Sequence, residues 1–365
     1  PEGPPIAPSA IHKARQRLGV LPLLWLFEAT AQRWAHQSAK AHRFLGLGVY
    51  GIDGTTLRVA DSQDNRDHFG GTHTHRGPSG YPLVRMVALM ALRSHLLAAA
   101  AFGPYDTHEL VYAESLFAQI PDESLVILDR GFFSAAVFFA LCASGKERHF
   151  LIRVRKDFKA RTVRKLGPSD ELCELVVSSE ARRQHPQLPE TLLARRIQYQ
   201  RKGFRPQALL TSLLDAKKYP AQQIAELYHE RWELELGFDE VKTEMLDRQE
   251  SLRSQRPDGV EQEMWGVLLG YNLVRLEMER VAALSGVEPV RLSFSGTLLM
   301  LMQLWQLMSL RFPGSFIKLL RSPPPSEGRL KSPASLLAAG QRQQDDAADG
   351  QRGAGTDQSA ADGQR

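Results

Sequence analysis

The chain has 365 residues, 43% of them apolar, enough for the cores of two or three domains or for one domain with a large insertion. Net charge is +5 but uneven: residues 147–206 hold 15 Lys and Arg against 7 Asp and Glu, a local +8 that leaves −3 elsewhere. Two cysteines, Cys142 and Cys173, without Cys-x-x-Cys spacing argue against a zinc site or a disulfide framework, and no apolar run of 18 residues exists to span a membrane. A reducing compartment fits. The basic block points to a polyanionic partner, nucleic acid first, against the plainer reading of a solvated basic surface.

Residues 8–39 read as helical, with apolar spacing through Leu18, Leu21, Leu24 and Phe27. GVYGID is a short strand ending at Asp53, Gly54 reads as a turn, and TTLRVAD as a second strand. Residues 61–80 are polar and Gly-rich, hence a loop. PLVRMVALMAL and SHLLAAAAFG count together as the third strand. THELVYAESLFAQI predicts a helix capped by Thr107, SLVILD a fourth strand ending at Asp129, RGFFSAAVFFALCASG a turn and helix, and RHFLIRVR a strand. The basic block follows, rich in short β-like pieces, then QALLTSLL, then a long helix with Pro220 in its first turn and further apolar helices to about Phe312.

The chain begins PEGPPIAPSA, without an initiator methionine, and reads as a fragment. From Ser322 it turns to Pro, Gln, Asp, Ala and Gly, a composition that buries no core and reads as disordered.

The stretch YHERWELELGFDEVK (228–242) packs five carboxylates into a basic protein. On an α-helix, Tyr228, Arg231, Glu235 and Lys242 fall within about 60° of arc. Leu227, Leu234, Phe238 and Val241 form the neighbouring stripe, facing the core, and Glu230, Glu233 and Glu240 turn to water. Asp239 is the rival carboxylate. Arg231 and Glu235 taken alone make an ordinary i,i+4 pair, and either strand-end Asp alone reads as a turn residue or cap. Together, Asp53, Asp129 and Glu235 are three acids able to converge. Such acids repel unless cations sit between them, and hard oxygen ligands suit two Mg²⁺ or Mn²⁺ ions of the kind that clamp a phosphoryl transfer.

Tyr-x₂-Arg-x₃-Glu-x₆-Lys, here Tyr228, Arg231, Glu235 and Lys242, resembles the YREK signature of the bacterial insertion-sequence DDE transposases of the IS-four family. IDGTTLRVADSQDN, LDRGFFS, SAIHKARQRLG and LRSQRPDGVEQE resemble the same family, over roughly residues 8–310. The resemblance implies an α/β, RNase H-like core with a mostly β insertion before the Glu-bearing helix. It divides the chain into a remnant N-terminal helical region (1–45), the core's first part (46–155), the insertion (156–206), the core's second part with C-terminal helices (207–312) and a tail (313–365). It carries over Asp53, Asp129 and Glu235 as catalytic metal ligands for two Mg²⁺ or Mn²⁺, and Tyr228, Arg231 and Lys242 as contacts to the phosphates of the element's ends. It also implies cut-and-paste transposition with cleavage and strand transfer, often through a hairpin. The partners it implies are double-stranded DNA, both terminal inverted repeats and target, and a second copy as a homodimer. The place is the bacterial cytoplasm, at the nucleoid.

Other readings stay beside this one. A chain of this make-up also suits a truncated, inactive DNA-binding relic of such an enzyme, although convergent acids would repel DNA in a mere binder. A simple RNase H-like nuclease leaves the YREK helix unexplained, and a carboxylate-pair glycosidase leaves the basic block unexplained. His73 and His75 read as an exposed loop, Asp61 and Asp64 as polar-loop acids, and Arg130 as a phosphate contact or an ion-pair partner. Trp232 reads as packed against a neighbour in preference to stacking on a base. Tyr199 and Phe204 are candidates to hold a flipped base, and the Leu- and Met-rich helices of 260–310 read as core or dimer surface.

Overall fold

Apolar alternation through GVYGIDGTTLR carries a single strand, β1 (Gly48–Arg58), in the computed structural model, which describes residues 7–74, 77–78, 80–155, 158–200, 205–246 and 251–311. The expected turn at Gly54 is absent, because β4 (Leu83–Ala91) runs antiparallel beside β1 from Tyr50 opposite Ala91 to Arg58 opposite Leu83 and holds Gly54 extended against Val87. The sequence TTLRVAD therefore continues the first strand. PLVRMVALMAL and SHLLAAAAFG, expected as one strand, are two. A turn over Leu92–His95, with His95 at φ 60°, folds β5 (Leu96–Pro104) back onto β4.

On its other side β1 runs parallel to β6 (Ser124–Leu128), and β6 runs parallel to β7 (Arg148–Arg153). The segment expected as an insertion adds β8 (Arg161–Gly167), β9 (Asp170–Val176), the short helix α6 (Ser179–Gln184, sixth in chain order) and β10 (Thr191–Tyr199). β11 (Gln207–Thr211) joins these strands antiparallel to β7, so the sheet has nine strands in the order β5-β4-β1-β6-β7-β11-β10-β9-β8. A mixed sheet with three central parallel strands and a hairpin on one side is the RNase H-like α/β arrangement expected.

The expected helix over 8–39 is two, α1 (Pro8–Leu18) and α2 (Leu21–Ala41), because Gly19 adopts φ 68° and Pro22 opens the second. α3 (Gln63–Phe69) forms within the expected loop, capped by Ser62, and the two-residue strands β2 (His73–Thr74) and β3 (Gly77–Pro78) pair with each other after it. α4 (Glu109–Leu116) is capped by His108 in place of Thr107, its Nδ1 accepting the Leu110 N–H at 3.2 Å. α5 (Ala135–Ala143) links β6 to β7. The long helix after Pro220 is interrupted: α7 (Ala221–Leu227), a 3₁₀ turn over Tyr228–Arg231, α8 (Trp232–Asp239), then a π turn over Glu240–Met245. α9 (Pro257–Ser285) and α10 (Phe294–Arg311) complete the described chain. The chain divides into two units, Pro1–Met302 and Gln303–Arg365; all that follows concerns the first. The tail from 313, His75 and Phe204 lie outside the described residues.

Side-chain alternation on β1 separates two cores. Val49 and Leu57 face a cluster with Leu234, Phe238, Val241 and Tyr271, while Tyr50 and Ile52 face one with Val126, Phe138 and Phe150. α8 sits close because Gly51 lacks a Cβ: one built there would lie 2.6 Å from Leu234 Cδ1. That contact fixes the helix carrying Glu235 above the strand carrying Asp53.

Candidate active site

Asp53 lies one residue past the last β1–β6 pair, Ile52 with Leu128. It is inside a strand, not at its end, yet it stands where the parallel neighbour stops and the sheet opens. The Gly54 N–H donates to its Oδ1 at 2.8 Å. Asp129 follows β6 directly and caps a 3₁₀ turn, its Oδ2 accepting the Gly131 N–H at 3.2 Å. Parallel pairing thus sets the two aspartates at the same level on adjacent strands. Glu235 reaches the site through Arg231, whose Nη2 donates to Glu235 Oε1 at 2.5 Å and whose Nη1 lies 3.7 Å from Asp53 Oδ2. Lys242 sits half-exposed in the π turn and does not line the cleft described below.

Burial pushes the Asp53 carboxyl up to about 6, and repulsion from Asp129 and Glu109 adds to it, against the Gly54 N–H and Arg231. Glu109, the first residue of α4, is raised too, chiefly by burial and also by Asp129, with Arg85 opposing. Burial drives the Tyr228 hydroxyl up to about 12. Burial also opposes the charge on Arg231, but Glu235 outweighs it and the guanidinium holds its proton more tightly than usual.

Among the described residues no three His, Cys, Asp or Glu gather closely enough to hold a metal ion. A guanidinium fills the space between Asp53 and Glu235 instead. Asp53 and Glu235 set carboxylate oxygens on either side of that guanidinium, and oxygens of this kind are the donors a hard divalent ion uses.

Beside Asp129 opens a cleft of about 430 Å³ lined by Asp129, Arg130, Arg153, Tyr199, Gln207, Tyr228, His229, Arg231 and Trp232. Three arginines and three aromatic rings on one concave wall can grip phosphates and stack on bases. Trp232 is 57% exposed, contrary to the expectation that it packs against a neighbour. Tyr228 is buried, with its ring on the cleft wall. Arg153 and Gln207 were not singled out in the sequence; only their place on β7 and β11 brings them here. Several arginines of the basic block, by contrast, pair with acids of the same block: Arg195, fully buried, binds Asp170 at 2.7 Å through Nε, Arg196 binds Glu171, and the exposed Arg161 binds Glu174.

The acids of the 228–242 stretch also depart from expectation. Glu230, Glu233 and Glu240 are not a solvated face. Arg93 binds Glu230 at 2.8 and 2.9 Å, and His95 Nε2 lies 2.7 Å from Glu233. Glu240 takes Arg275, and Tyr271 donates to it at 2.9 Å. The 3₁₀ and π turns rotate these positions off a uniform helical wheel and toward the β4–β5 turn and α9. The rival acids are placed elsewhere: Asp61 pairs with Arg66 at 2.5 Å, and Asp239 is exposed.

Residues 46–273, which contain both aspartates and Glu235, match the family model described as "Transposase DDE domain". The chain is 41% identical over 320 residues to "Transposase InsG for insertion sequence element IS4" of Escherichia coli (strain K12), covering 87% of this chain and 72% of that one. It is 36% identical over 159 residues to "Putative transposase InsZ" of the same organism, covering 43% of this chain and 53% of that one. A cryo-EM structure of the piggyBac transposase synaptic complex with hairpin DNA aligns at TM-score 0.41 and 14% identity over 79% of this chain and 59% of that one, a likeness too slight to decide anything. With the family model spanning the sheet and its acids, and one relative matching across most of both chains, the protein belongs to the DDE transposases of the IS4 group.

Proposed function

We propose that the protein cuts DNA at the ends of an insertion sequence and joins those ends to target DNA, a metal-dependent cut-and-paste transposition. The observation that carries this reading is the placement of Asp53 and Asp129 on adjacent parallel strands, faced by the helix of Glu235, beside a cleft walled with arginine and aromatic side chains.

Asp53, Asp129 and Glu235 would hold two Mg²⁺ or Mn²⁺ ions. Bound there, the ions supply Lewis acidity at the scissile phosphate and stabilise the attacking and leaving oxygens. The chain's own groups then position the substrate. Arg130, Arg153 and Arg231 grip backbone phosphates on the cleft wall, Lys242 adds a contact further along the same helical segment, and Tyr228 shapes the floor. Trp232 and Tyr199 offer faces to an unpaired base at the cut end. The segment expected as an insertion contributes Tyr199 to this wall, and a second copy brings the other DNA end.

The test is a joining assay. The full chain is incubated with a duplex bearing the element's terminal repeat and a supercoiled plasmid, with Mg²⁺ or with EDTA. The expected product is the duplex 3′ end covalently joined to the plasmid, in Mg²⁺ only. Joining that is equal in EDTA, or binding without cutting or joining in Mg²⁺, overturns the reading.

A further inference from the structure

Two side chains of the β4–β5 turn grip the helical segment of Glu235 from behind. Arg93 binds Glu230, and two residues further on His95 Nε2 lies 2.7 Å from Glu233. A guanidinium only donates. His95 Nδ1 therefore accepts from Arg275 Nη2 at 2.5 Å, and Nε2 keeps the proton that it gives to Glu233. The turn is itself tied to α9: the buried Asn272 side chain accepts the Leu97 N–H and donates to the Leu97 carbonyl, both at 2.9 Å. His95 is buried at φ 60°, a region that non-glycine residues seldom adopt.

In α8, Glu235 follows Glu233 by about 200° of helical arc. A bond at Glu233 thus holds the back of the helix while Glu235 faces the guanidinium beside Asp53. The apolar contacts of Leu234 and Phe238 keep α8 on the sheet, but such contacts are non-directional. Hydrogen bonds set angle and height. Burying Arg275 and His95 among carboxylates carries a desolvation cost that apolar side chains of like volume would avoid, so packing alone does not explain this chain of bonds. We propose that His95 is a positioning residue: acting through Glu233, it sets the rotation and height of α8 at which Glu235 meets Asp53. The inference rests on the catalytic reading of Glu235 above.

The experiment uses the full chain and has three readouts: nicking of a terminal-repeat duplex in Mg²⁺ at saturating DNA, DNA affinity, and hydrogen–deuterium exchange of the protein alone. Wild type is compared with His95→Ala, His95→Gln, Glu233→Leu, Glu233→Gln and Glu235→Gln. Glu233 is partly exposed, so its variants test the bond even where His95→Ala fails to fold. His95→Ala and Glu233→Leu are expected to slow nicking about tenfold or more, with DNA affinity within about twofold of wild type. Both should speed amide exchange over Trp232–Asp239 but not over β1. His95→Gln keeps a donor and an acceptor, and Glu233→Gln keeps an acceptor oxygen; both are expected to recover most of the rate. Faster exchange that spreads to β1, or a loss that the Gln variants share in full, makes His95 a residue of general stability and overturns the inference. If Glu235→Gln stops nicking while Glu233→Leu nicks like wild type, the inference falls alone. If Glu235→Gln nicks like wild type, or wild type does not nick, the reading of Glu235 falls and takes the inference with it.

Discussion

Arg231 and Glu235, one helical turn apart, are bonded Nη2 to Oε1 at 2.5 Å, and the same guanidinium stands 3.7 Å from Asp53. The site of the free protein is thus closed by an internal cation. On the proposed function, that cation moves from carboxylate to phosphate when metal and DNA bind. Replacing Arg231 by Ala should have opposite effects on the two ligands. Mn²⁺ binding to the DNA-free protein should tighten, because the competing charge is gone. Affinity for end DNA should fall, with the slope of log affinity against log salt reduced by about 1. Titrations of both ligands at several salt concentrations check this; an unchanged salt slope would remove Arg231 from the phosphate contacts.

Asp53 makes stability depend on pH. Its carboxyl titrates near 6 in the folded chain, mainly because it is buried, and in the ordinary range when unfolded. The folded state therefore binds its proton more tightly. The charge is no burden below about pH 4, lowers stability as pH rises toward 6, and above that costs about 3 kcal/mol. Asp53→Asn should melt higher than wild type at pH 7.5, with the difference vanishing near pH 4, while cleavage is lost. Urea titrations across that range test it, and a variant no more stable than wild type at pH 7.5 would contradict the burial argument.

Trp232 is exposed on the cleft wall, so its removal should cost little stability. Trp232→Ala should weaken binding to an end with an unpaired terminal base by about 1–3 kcal/mol and affect fully paired duplex less. Fluorescence anisotropy with the two DNAs separates a stacking role from a packing one: equal loss on both would argue against stacking.

Arg275 is almost wholly buried, binding Glu240 and donating to His95 Nδ1 at 2.5 Å. His95 in turn holds Glu233, so the network grips the helical segment on both sides of Glu235. Arg275→Leu leaves Glu240 without its cation and should cost about 3–5 kcal/mol, read by chemical denaturation. A loss below 1 kcal/mol, on the scale of a surface ion pair, would show that the network is dispensable.

The apolar stripe of Leu227, Leu234, Phe238 and Val241 was legible in the sequence, because helical spacing reports burial directly, and so was a strand through SLVIL that stops at Asp129. The path of β1 through Gly54 was not legible, since only its antiparallel neighbour decides whether a glycine bends or stays extended. The partners of Glu230, Glu233 and Glu240 were hidden for a related reason: they lie on β4–β5 and α9, more than 30 residues away, and the 3₁₀ and π turns displace the wheel. The local +8 was legible as a net charge, but not which arginines strand pairing would match with acids of the same block on the adjacent strand, Arg195 with Asp170, Arg196 with Glu171 and Arg161 with Glu174.

On the proposed function, the acids of this site act in catalysis. This role is tested most directly by nicking of a terminal-repeat duplex in Mg²⁺ or Mn²⁺, wild type against Glu235→Gln, with DNA binding measured in parallel. Both proteins are expected to bind, wild type to nick at the repeat boundary only with the divalent ion, and Glu235→Gln to be slower by more than about a hundredfold. Equal nicking by both would contradict the role of Glu235, and binding without nicking by either would make the chain a DNA-binding relic of a transposase.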